Sequence, residues 1–464
     1  MDEIVTTLDW WWQKRLYRCR IYLLTQLNTA ITTKEKIVKK EKRILVVGSG
    51  GREAALVWKF AQSPYMKIFC APGNAGISEY ATCVPIKADD IDALHLFAAT
   101  NDIDLTVVGP EAPLVAGIVD LFVKSGLVIC GPSAAAARGE GSKIWFKELL
   151  NKYDIPTAPY EAVANMGSAN SLAKRRNPQD IVIKADGLAG GKGVILPESE
   201  RDVRDAIHDL MHPTNRKYGS ADDQILIEDR LDGYEVSAMA ITDGTTVYPF
   251  PLTQDYKRAY DGDEGENTGG MGAHTVSLPE SLRNEINDLL KRVVGAFKEE
   301  GCPYRGFLYL GLMVTQDGPM VLECNCRLGD PETQVIMSVV DCDLAELCSA
   351  AAVGKLRAVE RPKRTHDETD LEAVCIVLAS EEYPGSSKRN VIINGSSNKF
   401  CAGKLFHAST AFSENFKYVT NSGGRVLNVV GTGFFYSVAV ENAYNNVKNI
   451  SFDGMRYRSD IGKI

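Results

Sequence analysis

The sequence lacks several features that would assign a protein class directly. Its 11 cysteines include no C-x-x-C pair, and an odd number without a disulfide framework predicts reduced thiols in the cytoplasm. A formal net charge of -8 leaves no excess of positive charge, which argues against a general nucleic-acid-binding protein. No apolar run reaches the length of a membrane-spanning helix. We therefore expect a cytoplasmic protein without nucleic-acid or membrane partners.

Two common nucleotide-binding loops are also missing. In Gly48–Glu53, glutamate stands where the dinucleotide fingerprint G-x-G-x-x-G requires its third glycine. No Walker A loop, G-x-x-x-x-G-K-S/T, occurs in the chain. The turn still places backbone N–H groups at the start of a predicted helix beside Arg52, which suits a phosphate group. This turn therefore favours a phosphorylated substrate over a dinucleotide.

The length of 464 residues exceeds one hydrophobic core, so several domains are expected. Residues 1–42 mix aromatic and basic side chains, and we expect a disordered extension there. An organelle presequence is the alternative, although such presequences are poor in acidic residues and this one has Asp2, Glu3 and Asp9. From residue 43, strands alternate with helices, which predicts a parallel sheet. The expected domains are an N-terminal α/β domain at 43–142, a central domain at 143–353, a charged linker at 354–370 and a small α+β domain at 371–464.

A polar face on one strand is the strongest signal in the sequence. Alternate side chains of a strand share a face, so Glu323, Asn325 and Arg327 point the same way, with Val321 before them on that face. A carboxylate and an amide oxygen at this spacing suit a hard cation such as Mg²⁺. The neighbouring guanidinium suits an anionic oxygen, and Asp330 adds charge where the strand ends. An edge strand with a solvated polar face is the alternative.

Three further stretches offer donors for phosphate groups. Ser142 is the predicted N-cap of a helix that begins at Lys143. A strand ending in Lys184 leads into the glycine-rich loop 185–194, whose amides can cover a polyphosphate; an ordinary glycine hairpin is the alternative. Residues 254–274 predict a long polar loop, a kind of segment that is often functional; a disordered surface loop is the alternative.

Several motifs occur together in a fixed order from Arg43 to the end of the chain: GSGGRE, APGNAG, VGPEAPL, IVIKADGLAGGKGV, QDYKR, NTGGMGA and NCRLGDPETQ. In these motifs the chain resembles the phosphoribosylamine–glycine ligase family, also called glycinamide ribonucleotide synthetase, of the ATP-grasp superfamily. The resemblance implies an α/β and α+β multidomain fold, with a parallel-sheet N-terminal domain, a central ATP-grasp domain with a glycine-rich lid at 157–228, and a small C-terminal domain. It also implies that ATP phosphorylates glycine to glycyl phosphate, which 5-phosphoribosylamine converts to glycinamide ribonucleotide in purine biosynthesis. ATP and Mg²⁺ are the implied cofactors, with Mn²⁺ as an alternative metal.

The resemblance further implies a role for individual residues. Those implied to bind ATP are Lys143, Lys184, Gly187, Gly190, Gly191, Lys192, Gly193, Glu228, Arg230, Leu231 and Glu235. Those implied to bind the other substrates are Gly50, Gly51, Arg52, Gly109, Pro110, Glu111, Asp255, Arg258, Asn267, Thr268, Gly269, Gly270 and Pro331. The implied catalytic residues are Arg327, Asp330 and Lys257, and the implied metal ligands are Glu323 and Asn325.

The chain departs from the family pattern at a few positions. Ala54 and Tyr256 stand where the family usually has histidine, and Cys324 and Leu328 stand where it usually has phenylalanine. Two other hypotheses therefore stay open: a nucleotide-binding homologue without ligase chemistry, and a ligase for a different acceptor amine. We expect a monomer or a weak homodimer, and the number of metal ions stays open.

Overall fold

The structure, a computed structural model, describes residues 41–188, 193–211, 224–364, 371–385, 387–396, 400 and 402–463. The extension predicted at 1–42 lies outside these ranges apart from its last two residues. Residues Lys42–Ile464 group into one compact unit. Within the described ranges, no helix is both long and apolar enough to cross a membrane.

The first sheet is parallel, as the alternation of strands and helices predicts. Its strands are β1 (Lys42–Gly48), β2 (Met66–Pro72), β3 (Thr82–Cys83), β4 (Leu105–Val108) and β5 (Ile129–Cys130), in the order β3-β2-β1-β4-β5. The accompanying helices are α1 (Gly51–Phe60), α2 (Ile91–Thr100), α3 (Glu111–Val115), α4 (Ile118–Lys124) and α5 (Ala134–Gly141). Because β1 and β4 are neighbours, the turns that follow them, at Gly48 and Gly109, meet at one edge of the sheet.

A second, antiparallel sheet carries the glycine-rich loop. Its strands are β6 (Tyr160–Val163), β7 (Ile181–Ala185), β8 (Val194–Ile195) and β9 (Ile225–Asp229), in the order β6-β9-β7-β8. Helix α6 (Lys143–Lys152) precedes it, and α7 (Met166–Ala173) and α8 (Glu200–Met211) pack on it around Ile183, Ile207 and Ile227. The pairing of β7 with β9 brings Lys184 and Glu228 onto neighbouring strands.

The largest sheet joins the middle of the chain to its C-terminal part. Its strands are β10 (Tyr234–Thr242), β11 (Val247–Pro249), β12 (Thr253–Asp255), β15 (Gly272–Thr275), β16 (Gly306–Thr315), β17 (Gly318–Asn325), β20 (Glu372–Ser380), β21 (Gly403–His407), β24 (Arg425–Gly433) and β25 (Met455–Arg456). Their order is β17-β16-β10-β12-β15-β20-β24-β21, with β11 beside β10 and β25 beside β20. The helices are α9 (Glu280–Glu299), α10 (Glu332–Val339), α11 (Leu344–Ala352) and α12 (Tyr436–Val447). The sheet is continuous across the antiparallel pairing of β15 with β20.

Three short antiparallel pairs complete the described strands. They are β13 (Arg258–Tyr260) with β14 (Glu264–Asn267), β18 (Val340–Asp341) with β19 (Lys363–Arg364), and β22 (Thr410–Phe412) with β23 (Tyr418–Thr420). The prediction of a long loop at 254–274 is wrong, since β12 to β15 fall in this stretch. These strands are three or four residues long, so the period-two pattern that identifies a strand is too short to detect.

The predicted position of Val321 is also wrong. Gly311 pairs with Glu323, whereas Leu312 pairs with Val321, so Leu322 is an extra residue in β17. Such a β-bulge reverses the alternation of faces beyond it. Val321 therefore packs in the same core cluster as Cys324 and Cys326, and the face of Glu323 begins after the bulge.

Candidate active site

Helix α6 begins beside the glycine-rich loop. The Ser142 hydroxyl accepts a hydrogen bond from Trp145 N (3.2 Å) and donates one to Asp186 Oδ2 (3.0 Å), while Asp186 Oδ1 accepts from Ile144 N (3.1 Å). Asp186, which directly follows β7, thus caps the helix. Lys143 Nζ consequently reaches Gly187 O at 2.8 Å, which joins two of the predicted ATP-binding residues.

Glu228 lies between two buried lysines. Lys184 Nζ donates to Glu228 Oε2 at 2.9 Å, and Lys147 Nζ lies 3.0 Å from the same oxygen. Burial lowers the pKa of Lys147 to about 8, against the opposing effect of Glu228. Lys147 also donates to Thr157 Oγ1 at 2.6 Å. This ammonium pair and carboxylate fix the β7–β9 strands against α6.

Glu323 and Asn325 form the predicted metal-ligand pair at the end of β17. Asn325 Nδ2 lies 3.4 Å from Glu323 Oε1. Burial raises the pKa of Glu323, but Lys257, Lys184 and Lys143 outweigh this effect, and the pKa lies below its usual value. Within the described residues, no group of three or more His, Cys, Asp or Glu side chains could hold a metal by itself. The two oxygen donors therefore fit Mg²⁺ that completes its shell with phosphate oxygens and water.

Arg327 is surrounded by carboxylates from the N-terminal part of the chain. Its Nε donates to Glu111 Oε2 at 3.0 Å, and its Nη2 donates to Glu140 Oε1 at 3.1 Å and to Asn325 Oδ1 at 3.2 Å. Burial lowers the pKa of Arg327, but Glu140 and Glu111 raise it more. Glu140 Oε2 also accepts from Cys326 N at 2.6 Å. The guanidinium is thus held in one orientation beside the metal-ligand pair.

Asp330 connects three parts of the chain. Gln334 Nε2 donates to Asp330 Oδ1 at 2.8 Å, and Arg425 Nη2 from β24 lies 3.4 Å from Asp330 Oδ2. Burial raises the pKa of Asp330, but Arg425 and Arg52 outweigh this effect and lower it. Asp330 is therefore an anion at neutral pH, fixed between the start of α1 and the C-terminal strands.

Lys257 and Asp255 form a second charged group near Glu323. Lys257 Nζ is 2.5 Å from Glu235 Oε2. Burial raises the pKa of Asp255 to about 7. The positive charge of Lys257 opposes this increase, whereas the negative charges of Glu332, Glu235 and Glu323 add to it. Glu235, which the sequence assigns to ATP, is thus the partner of a predicted catalytic lysine.

Other predicted residues surround this group at its edges. Thr268 N donates to Lys257 O at 2.7 Å, and Asn267 pairs with Arg258 across the β13–β14 hairpin. Gly270 has a φ of +107°, and a Cβ there would lie 2.6 Å from Pro331 Cδ, so this close turn requires glycine. Gly193 O accepts from Ala185 N at 2.8 Å at the far end of the glycine-rich loop.

Some predicted residues are engaged elsewhere. Arg258 Nη1 donates to Gly265 O of its own hairpin at 2.7 Å. Gly50 N donates to Glu53 Oε2 at 2.6 Å, and Arg52 Nε donates to Glu53 Oε1 at 2.7 Å, so a carboxylate occupies the turn predicted to receive a phosphate.

The remaining predicted residues are placed as follows. Gly51 is the first residue of α1, Pro110 precedes α3, which begins at Glu111, and Gly109 N donates to Val47 O at 2.9 Å. Gly269 O accepts a hydrogen bond from Arg425 Nη1. Arg230 is exposed and Leu231 partly buried between β9 and β10. Gly190, Gly191 and Lys192 lie outside the described residues.

Three family models match consecutive parts of the chain. The phosphoribosylglycinamide synthetase N domain matches residues 42–140, its ATP-grasp (A) domain matches 141–333 and its C domain matches 373–464. The chain belongs to the phosphoribosylglycinamide synthetase family. The expected architecture is confirmed: a parallel-sheet N-terminal domain, a central ATP-grasp domain and a C-terminal domain.

Individual relatives of this family are similar over nearly the same range. A phosphoribosylamine–glycine ligase of Caldanaerobacter subterraneus is 44% identical over 90% of this chain and 99% of its own length. The trifunctional purine biosynthetic protein adenosine-3 of Gallus gallus is 43% identical over 90% of this chain and 42% of its own length. The crystal structure of phosphoribosylamine–glycine ligase from Thermotoga maritima superposes with a TM-score of 0.77 at 34% identity, covering 90% of this chain and 100% of that one.

The two histidine departures from the family pattern occupy packed positions. Ala54, in α1, lies in a core cluster with Leu328 and Val335 and is 7% exposed. Tyr256 packs against the C-terminal core cluster, and its hydroxyl accepts a hydrogen bond from Gly462 N at 3.0 Å. Tyr256 thus extends toward the C-terminal core, whereas Lys257 extends toward Glu235.

Sequence reasoning missed three residues of the site. Lys147 follows Lys143 by one helical turn, so helical spacing could have identified it. Glu140 and Arg425 contact Arg327 and Asp330 from distant parts of the chain. No local pattern marks either of them, and their positions follow from the packing of the domains.

Proposed function

We propose that this chain is an ATP-dependent carboxylate–amine ligase that joins glycine to 5-phosphoribosylamine, giving glycinamide ribonucleotide, ADP and phosphate. The proposal is supported by the family membership and by the names of relatives that match almost their whole length. The reaction proceeds through phosphorylation of the glycine carboxylate, followed by attack of the amine on the acyl phosphate. Purine biosynthesis is the corresponding pathway.

The observation that carries this proposal is the charge distribution around Glu323. The ammonium groups of Lys143, Lys184 and Lys257 all act on this one carboxylate. Such an arrangement neutralises the negative charge of a polyphosphate and of a phosphoryl group during its transfer. Glu323 and Asn325 would hold Mg²⁺, which supplies further positive charge to the phosphate oxygens when it is bound.

The residues beyond the metal-ligand pair are suited to the acceptor end of the reaction. Arg327 is fixed by Glu111 and Glu140 and would bind an anionic oxygen of the transferred group. Asp330 is ionised and would orient a substrate ammonium or hydroxyl group. Lys257 would stabilise negative charge from the opposite side. Positioning and charge neutralisation account for the catalysis, so a protein nucleophile is not needed.

Several finer assignments belong to the same proposal. The matched ranges 42–140, 141–333 and 373–464 support three domains, which we place at 43–142, 143–353 and 371–464. A lid at 157–228 and a linker at 354–370 are further parts of this proposal. The ATP-grasp assignment supports ATP and a divalent metal. Mg²⁺ is the metal we propose, and Mn²⁺ is an alternative that the same oxygen ligands would hold. A cytoplasmic monomer or weak homodimer, with small-molecule substrates, completes the proposal.

Phosphate release from ATP and Mg²⁺ tests the proposed function. Glycine and freshly generated phosphoribosylamine are added separately and together, and we expect release that requires both. ATP binding without such release would contradict the ligase assignment and favour a nucleotide-binding homologue. Release with another amine in place of phosphoribosylamine would assign a different acceptor.

A further inference from the structure

The last described residues of the chain lie along the β13–β14 hairpin and the two residues before it, Tyr256 and the proposed catalytic residue Lys257. We name residues 456–462 the C-terminal segment and residues 256–267 the acceptor hairpin. Arg456 Nη1 donates to Ala259 O at 2.8 Å, and its guanidinium lies 4.7 Å from the centre of the Tyr260 ring. The two stretches are separated by about two hundred residues in sequence, as the interval of 197 between Arg456 and Ala259 shows.

Arg458 makes the central contacts between these two stretches. It is 1% exposed and is the largest by volume of the fully buried side chains among the described residues. Its Nη1 donates to Asp263 Oδ1 at 2.7 Å and to Arg258 O at 3.2 Å. Its Nε and Nη2 donate to the two oxygens of Asp460 at 2.8 and 2.6 Å, which fixes the plane of the guanidinium.

The turn of the hairpin is bonded to the same segment. Asp460 Oδ2 accepts from Gly262 N at 2.9 Å. Ser459 N donates to Asp261 Oδ1 at 2.8 Å. Together with the contact of Arg458 on Asp263, every residue of the turn from 261 to 263 is held by the C-terminal segment.

Tyr256, which directly precedes Lys257, also contacts the C-terminal segment. Its hydroxyl accepts from Gly462 N at 3.0 Å, and the Arg458 guanidinium lies 4.9 Å from the centre of its ring. Lys257 itself extends toward Glu235. The hairpin is thus fixed on one side by the C-terminal segment, while Lys257 extends on the other side toward the carboxylates of Glu235 and Glu323.

We propose that the C-terminal segment, through Arg458 and Tyr256, positions Lys257 for the acceptor substrate, so that Arg458 and Tyr256 are positioning residues. The proposal rests on the proposed ligase function. A two-stranded hairpin is marginally stable without further packing, and a displacement of about 1 Å at a reacting group can lower the rate about a hundredfold. Tyrosine at 256 provides both the hydroxyl and the ring face that this contact uses.

Four variants test the proposal. Arg458→Met keeps an unbranched apolar stem and removes the guanidinium with its charge and donors. Arg458→Lys keeps the charge without the planar guanidinium, and Tyr256→Phe removes one hydroxyl. The matched control is Tyr248→Phe, which also removes one hydroxyl bond, to Val359 O at 3.2 Å. The measurements are kcat and KM for phosphoribosylamine, the Kd of ATP with Mg²⁺ by calorimetry, and hydrogen exchange of the amides of residues 256–268.

We expect Arg458→Met to lower kcat/KM for phosphoribosylamine by about tenfold or more while the Kd of ATP stays within about twofold. Arg458→Lys should recover part of the loss, Tyr256→Phe should lose less than Arg458→Met, and Tyr248→Phe should match the wild type. Exchange of the hairpin amides should be faster in Arg458→Met. Unchanged kcat/KM and exchange, or an equal loss of ATP affinity, would overturn the positioning role. A wild type that releases no phosphate with both substrates would instead refute the proposed function.

Discussion

At the scale of single residues, neighbouring lysines stabilise the negative charge of Glu323. Replacing this residue therefore tests whether the charge is needed for catalysis. Glu323→Gln keeps the shape of the side chain but removes the charge that Lys143, Lys184 and Lys257 stabilise. We expect turnover to fall by about a hundredfold or more, because metal and phosphate positioning are lost together. Phosphate release at several Mg²⁺ concentrations measures this.

The control for Glu323→Gln is Glu285→Gln, the same change on an exposed face of α9. Both variants should keep the thermal unfolding temperature of the wild type within a few degrees. Turnover like that of the wild type in Glu323→Gln would exclude Glu323 as a metal ligand.

His407 predicts a pH dependence of stability. It is 5% exposed, and burial lowers its pKa from 6.5 to about 4. Between these values the unfolded chain binds the proton and the folded protein does not, so the free energy of unfolding falls as the pH falls from 6.5 to 4. The full contribution is about 3 kcal/mol. Urea unfolding across this pH range should show a flatter curve for His407→Gln, and parallel curves for the two proteins would contradict the assignment.

At the scale of secondary structure elements, the first residue of α1, Gly51, packs closely against two buried amide side chains. A Cβ at Gly51 would lie 2.2 Å from Asn428 Nδ2 and 2.5 Å from Gln334 Nε2, and both amides are fully buried. Gly51→Ala should therefore destabilise the protein by about 1–3 kcal/mol. It should also lower kcat/KM for phosphoribosylamine, because Gln334 donates to Asp330.

A second glycine on another helix provides the comparison for Gly51→Ala. A Cβ at Gly295, in α9, meets no atom within 4 Å. Gly295→Ala should stabilise the protein by about 0.5–1 kcal/mol through helix propensity. Denaturant unfolding measures both variants, and equal effects of the two substitutions would show that the contacts at Gly51 do not determine its identity.

The elements that sequence reasoning identified are those with a long or strongly marked pattern. Helix α9 shows apolar residues at helical spacing over its length, and β1 with α1 shows a buried strand followed by a glycine turn. The bulge at Leu322 and the short strands β12 to β15 were missed. The bulge and these strands are both defined by pairing with a neighbouring strand, so the hydrophobic pattern of their own residues could not reveal them.

At the scale of the whole molecule, the candidate site combines groups from all three domains. Glu111 comes from the N-terminal domain, Arg327 from the ATP-grasp domain and Arg425 from the C-terminal domain. The motifs predicted most of the charged residues that meet there. They could not predict that Glu235 pairs with Lys257, because this contact depends on how the strands are packed. The bond from Gly50 N to Glu53 is a local contact within one helical turn.

The same architecture predicts that residues 1–41 are not needed for the ligase reaction. The compact unit begins at Lys42, the family match begins there too, and Lys42 Nζ donates to Ser349 Oγ at 2.9 Å. A chain starting at Lys42 should therefore retain kcat and both substrate KM values within about twofold. Phosphate release compared with the full chain measures this.

A chain starting at Leu45 is the matched counterpart to the one starting at Lys42. It lacks Ile44, which is fully buried, and the hydrogen bond from Arg43 N to Asp104 Oδ2 at 2.8 Å. It should lose several kcal/mol of stability, since burial of one large apolar side chain alone contributes about 2 kcal/mol. Reduced activity of the chain starting at Lys42 would show that residues 1–41 contribute to folding or substrate binding. Activity loss confined to the chain starting at Leu45 would place the functional boundary at the start of β1.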